Sequence, residues 1–305
     1  MRNGFDLAGA DVPAAKIRAG GPPRDGIPAL DHPKSGPAGD SGDLGWADDV
    51  MVLGFEWNGE ARAYPVPILD HHELVNDMVG GRPVLISWCP LCGTGMVFDR
   101  RIAGAERHFG VSGLLYQSDV LMYDRETESL WSQISSRAIS GASRGSELEL
   151  LRSRMESWGA WSLRHPDTTI LSRLTGHKRN YGRSPYAGYA ASPRLMFPAP
   201  SDDRYHPKMP TLGLRIPGVV ARGYPAAELV RAGGFAEELL AGEKVRVRYD
   251  DVAQVFDVDV SEKVEVVEGY WFAWAAFHPD ASVFRVAPEA GGSGPQPDRS
   301  EGTLQ

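Results

Sequence analysis

Cysteine is scarce in this sequence, with two residues in 305. Two are too few for the disulfide framework of a secreted scaffold, so metal binding or redox chemistry is the better use for them. Positive charge is also in short supply. The net charge is −8, with 32 Lys and Arg against 40 Asp and Glu, and no basic run occurs. That argues against nucleic acid and anionic membranes as partners. No apolar stretch approaches the roughly 18 residues of a membrane span. The opening residues MRNGFDLAGADVPAAK lack the apolar core of an export signal, so the expected location is the cytoplasm. G-x-G-x-x-G, a P-loop and G-x-S-x-G are all missing, which removes the commonest nucleotide and hydrolase readings.

What is present centres on VLISWCPLCGTGMVFDR, Val84–Arg100. Both cysteines sit here as one C-x-x-C, between two apolar, β-branched runs that read as strands. Gly93, Thr94 and Gly95 argue against a helix at Cys92 and so against a thioredoxin-type site. Pro90 fixes φ and Gly93 permits positive φ, so both sulfurs can curl to one side, as in a metal knuckle. Two thiolates fill half of a tetrahedral shell. Further ligands must come from His, Met, carboxylate, a second subunit or an exogenous group. His71, His72, Met96 and His108 are nearest in sequence.

Along the chain, residues 1–45 are rich in Gly and Pro and are expected to run extended over the surface. Residues 46–175 form a first unit carrying the knuckle. Residues 176–210 are an irregular Tyr/Arg/Pro-rich connection, of a length that is often functional and able to wrap the first unit. Residues 211–287 read as a second, degenerate copy, and 288–305 as a disordered tail. The repeat is visible as LGFEWNGEARAYP (Leu53–Pro65) against LGLRIPGVVARGYP (Leu212–Pro225), and as Trp158-x-x-Trp161 with His165-Pro-Asp against Trp271-x-x-Trp274 with His278-Pro-Asp. Helices are expected over Val66–Met78 and Ala226–Leu240. The fold class expected is α+β and β-dominated: two related lobes of paired strands under short helices. The copies differ in their chemistry. Cys-Pro-Leu-Cys is replaced by Asp250-Asp251-Val252-Ala253, and His71-His72-Glu73 by Arg231-Ala232-Gly233. Cysteines and histidines are lost together, as expected if they work together.

Three stretches, HHELVNDMVGGRPVLISWCPLCGTGMVFDRR, FGVSGLLYQSDVLMYDRETESLWSQ and YGRSPYAGYAASPRLMFP, resemble the DUF3179 family over roughly residues 20–285. That family carries no established reaction to transfer. It is similar to groups that include selenoproteins, which implies a chalcogen used at the knuckle as ligand or redox centre. Many relatives carry export signals, which this chain lacks. The family pattern often has Trp-His-Glu here, so the matching histidine is His72 and His71 is the variant position.

The first functional reading is a metalloprotein. Cys89 and Cys92 bind zinc, copper or iron, His72 is the third ligand, and Glu73 or Asp77 orients its imidazole. An open fourth position would make it a metal-dependent oxidoreductase acting on a small molecule, with Cys89, Cys92, Asp119 and Asp124 as catalytic candidates. Asp99, Arg100, Tyr116 and Arg125 are the candidate pocket residues, with Ser118 and Tyr123 as further polar groups. Two alternatives stand beside it: a metal-free thiol–disulfide or peroxide oxidoreductase using the same cysteines, and a non-enzymatic metal carrier, sensor or structural knuckle. The Asp-Arg pairs also suit turn salt bridges, and Met96 suits the core.

Overall fold

A computed structural model describes residues 1–37 and 45–286. The tail expected at 288–305, and residues 38–44 of the N-terminal segment, lie outside it. The chain is a five-bladed β-propeller with 42% strand and 11% helix, which corrects the expected two lobes under covering helices. The first blade pairs Met51–Trp57 with Glu60–Pro65, flanked by Arg154–Ser157 and Thr169–Leu171. The second runs Leu74–Val79, Arg82–Cys89, Thr94–Asp99. The third runs Phe109–Tyr116, Asp119–Asp124, Leu130–Ser132, Arg137–Ala138. The fourth holds Pro210–Ile216 and Val220–Pro225, flanked by Glu265–Tyr270 and Ser282–Val283, and the fifth holds Phe235–Leu240, Glu243–Asp250 and Val255–Val260. The first and fourth blades share one strand order, as do the second and fifth. Lobes were expected because the matching stretches are sequential. Each instead contributes two blades to a shared ring.

The ring closes through polar contacts. Arg215 of the fourth blade donates to the Ile134 carbonyl (2.7 Å) and to Ser136 Oγ (2.9 Å) beside the third. Arg154 of the first blade pairs with Asp257 of the fifth. The N-terminal segment supplies outer strands: Ile17–Ala19 to the third blade, Leu30–Asp31 to the second, Ser35–Pro37 to the first.

Both long helices expected are short. Helix α1 is Val66–His72, and Leu74–Val79 is strand. Glu73 ends α1 at φ +58°, a conformation a helix cannot continue through. Helix α2 is Trp158–Arg164. Helix α3 stops at Arg231, before Gly233 and Gly234 at positive φ, and Phe235–Leu240 is strand. Helix α4 is Trp271–Phe277. The largest core cluster joins Cys89, Leu91 and Cys92 to residues of the third blade and to Trp271 of α4. The dithiol therefore sits where several blades meet.

Candidate functional site

Two hairpin ends build the site. In the second blade, Cys89 pairs with Thr94 across the Cys-Pro-Leu-Cys-Gly turn, and the Cys92 N–H donates to the Cys89 carbonyl at 3.1 Å. Gly93 sits at φ +60°, and a Cβ there would lie 2.8 Å from the Tyr270 ring, so only glycine fits. The Tyr270 N–H in turn donates to the Cys92 carbonyl at 2.8 Å, tying the knuckle to the fourth blade.

In the third blade, Gln117 and Ser118 turn the hairpin whose strands end at Tyr116 and Asp119. Both have positive φ, +53° and +67°. Two-residue turns of that kind favour Asn and Gly, and the hairpins at Asn58-Gly59 and Gly80-Gly81 follow the rule. Gln-Ser breaks it, at a cost of order 1 kcal/mol per residue. The strained turn brings Asp119 against the dithiol. Ligand atoms of Cys89, Cys92 and Asp119 all lie within 4.8 Å of one another. The Cys92 thiol donates to the Ser118 carbonyl at 3.5 Å.

All three groups are buried, at 1%, 0% and 0% exposure. Asp119 Oδ2 accepts from the Ile134 N–H at 3.2 Å, while no N–H or O–H donor reaches Oδ1. Gln133 donates through Nε2 to the Thr94 carbonyl at 3.1 Å, which leaves Oε1 unpaired, as is Ser118 Oγ. Burial pushes both thiols up, Cys92 well above its ordinary value. It raises Asp119 to about 7, against hydrogen bonds from Ile134 and the thiols. Glu73 is also raised to about 8, by burial and then by the charges of Asp70 and Asp119. No basic side chain opposes that rise. The site is thus a buried set of acidic groups without a counter-cation.

Asp119, a catalytic candidate from sequence, lies beside the dithiol, and His72 is not among the grouped donors. The His72 ring is engaged elsewhere: Nδ1 donates to the Pro28 carbonyl (2.7 Å), so Nε2 accepts from the Tyr181 hydroxyl (2.7 Å). Burial lowers its pKa to about 4, keeping it neutral. His71 contacts the Arg183 carbonyl at 3.2 Å and His108 binds Glu126. Met96 is core.

The other candidates are dispersed by strand register. Asp99 pairs with Val84 and Asp124 with Phe109, so each lies about 17 Å along its strand from the knuckle end. Asp99 binds Arg82 and Arg101, and Asp124 holds Thr127 and Trp131. Arg100 serves the Asp77 and Arg107 carbonyls and Glu106. Arg125 pairs with Asp31 at 2.7 Å, and Tyr123 with Asp25. Tyr116 lies across the hairpin from Asp119, edge-on to Phe277.

Gln133, Tyr186, Tyr189 and Tyr270 were not singled out from sequence, and Glu73 was named only as a partner for His72. Glu73 had a signal, since it is lost together with the histidines in Arg231-Ala232-Gly233. Tyr186 and Tyr189 lie in the YGRSPYAGYAAS stretch, which packs over the cysteines. Tyr270 had none.

Among the described residues, no helix is long and apolar enough to cross a membrane. No curated protein and no solved structure matches the chain. The pattern of the family described as "Protein of unknown function (DUF3179)" matches residues 24–260, and the chain belongs to that family.

Proposed function

We propose that the knuckle is a transition-metal centre with Cys89, Cys92 and Asp119 as ligands, serving metal-assisted chemistry on a small molecule. The observation that carries this is the convergence of three buried acidic donors within 4.8 Å of one another, with Asp119 Oδ1 lacking any N–H or O–H partner. A tetrahedral ion with bonds of about 2.0–2.3 Å bridges donors so placed. A cation also removes the burden of the site, since thiols and carboxyl can ionise against it.

Two thiolates and one carboxylate mix soft and hard donors. This suits zinc or ferrous iron better than copper(I), which prefers sulfur alone. No fourth His, Cys, Asp or Glu atom joins the three among the described residues. A coordination position remains for water or substrate, the pattern of catalytic rather than structural zinc. Glu73, its carboxyl raised to about 8 by burial, is suited to exchange a proton near neutral pH.

A metal-free dithiol nucleophile fits less well. Thiolate is the reactive form, and burial beside carboxyls opposes it. The test is metal content of protein purified under reducing conditions, with thiols titrated before and after chelation. About one zinc or iron per chain, with thiols shielded until chelation and the metal lost in both Cys92→Ser and Asp119→Asn, supports the reading. No metal, with two thiols that oxidise and recover reversibly, overturns it in favour of dithiol redox chemistry.

A further inference from the structure

The dithiol is closed to solvent, so any small molecule that reaches it must displace something. The cover is the segment between Leu171 and Pro210, which contains no strand or helix. Two clasps hold it. At the first, three successive residues of α1 grip it: Asp70 accepts from the Ser184 hydroxyl (2.6 Å), His71 binds the Arg183 carbonyl, and His72 accepts from Tyr181, which Thr175 also contacts at 2.6 Å. At the second, the buried Lys208 ammonium donates to the Ser192 carbonyl and, at 2.7 Å, to that of Arg194, and stands 3.9 Å over the Tyr189 ring.

Between the clasps, backbone hydrogen bonds are local turns, Tyr189 N–H to Tyr186 O (2.9 Å) and Ser192 N–H to Tyr189 O (3.1 Å). Gly188 sits at φ +76° in open space. What holds this stretch down is the packing of Tyr186 and Tyr189 on the cluster that contains Cys89 and Cys92. A segment with few backbone ties to the scaffold, fastened by side chains at both ends, opens locally more easily than the blades beneath it.

We propose that residues 185–191 are a flap that opens to admit a small ligand to the dithiol, with Tyr186 and Tyr189 as its ligand-facing residues. Beneath the flap, Gln133 Oε1 and Ser118 Oγ are buried without partners. Both can accept from a ligand's hydroxyl or amino hydrogens.

The proposal rests on the dithiol being the functional centre, but its test does not need the ion. Metal-free, reduced protein is labelled with neutral methyl methanethiosulfonate, against free cysteine as reference. Tyr181→Phe unfastens the first clasp and Lys208→Met the second. Leu214→Ala, in the fourth-blade core, destabilises the fold without touching the flap. We expect each clasp variant, which loses two hydrogen bonds, to speed labelling about tenfold or more, with Leu214→Ala unchanged. Clasp variants that label at the wild-type rate, or Leu214→Ala matching them, overturn the flap. A protein that binds no metal yet shows the expected pattern removes the metal reading and leaves the flap standing.

Discussion

Removing the buried carboxylate beside the dithiol should stabilise this protein, provided no metal is present. Asp119 ionises near 3.8 when exposed, and burial raises it to about 7 in the fold. Between those values the unfolded chain gives up its proton and the folded chain does not. Stability is therefore fully present below pH 3.8 and falls as pH rises towards 7. At 1.36 kcal/mol per unit, the penalty reaches about 4 kcal/mol by pH 8. Asp119→Asn abolishes it, and seating the new amide hydrogens costs about 1 kcal/mol in return. With chelator and reductant at pH 8, urea denaturation should find Asp119→Asn more stable than wild type by about 2–3 kcal/mol. At pH 4.5 the two should lie within about 1 kcal/mol. Groups common to both proteins, such as His72 and His278, cancel in the difference. Zinc should invert the order, since ligand at a thousand times Kd adds about 4 kcal/mol to whichever protein binds it. A variant less stable than wild type at pH 8 in chelator would refute the argument, because Asp119 would then not be carrying an uncompensated burial cost.

Three further outcomes follow from local geometry. Gln117→Asn should raise stability by about 0.5–1 kcal/mol, read from urea midpoints, because asparagine tolerates the positive φ that glutamine holds under strain. Gly93→Ala should cost about 2 kcal/mol or more, since a Cβ meets the Tyr270 ring at 2.8 Å on a left-handed backbone; a midpoint within error of wild type would contradict the contact. Ala281→Thr should add about 1 kcal/mol by thermal melting, for a reason taken up below.

The sequence showed the Cys-x-x-Cys turn, its flanking strands and the matched Trp-x-x-Trp stretches because each is written locally, in turn residues and apolar runs. It hid the ring. Which blade faces which depends on contacts such as Arg215 to Ile134 and Ser136, some 80 positions apart, and no periodicity encodes them. The over-long helices have one cause. Glu73 and the Gly233-Gly234 pair break the chain where leucine and valine spacing still suits a helix face, and the following residues enter ladders instead. Which acidic group stands beside the dithiol was hidden by the same blindness to register. His72 is close to the cysteines in sequence and lost with them in the matching stretch. Yet it belongs to the clasp, and Asp119 arrives from another blade on a turn whose strain is visible only in its dihedrals.

Comparison of matched positions also explains an otherwise odd buried atom. Trp161 stacks on His165 with ring centroids 4.1 Å apart and donates its indole N–H to Thr168 at 2.9 Å. Trp274 stacks on His278 at the same 4.1 Å, but its indole N–H is buried and unpaired. The position matching Thr168, three residues past the histidine, is Ala281. The indole kept its packing and lost its acceptor, and an unmet buried donor costs about 1–3 kcal/mol. Ala281→Thr supplies the missing hydroxyl in a setting where the first blade already accommodates one. Its stabilisation should vanish when Trp274 is replaced by Phe, because the ring then has no hydrogen to donate. A threonine that stabilises equally in both backgrounds would show that the gain comes from strand propensity in Ser282–Val283 and not from the restored bond.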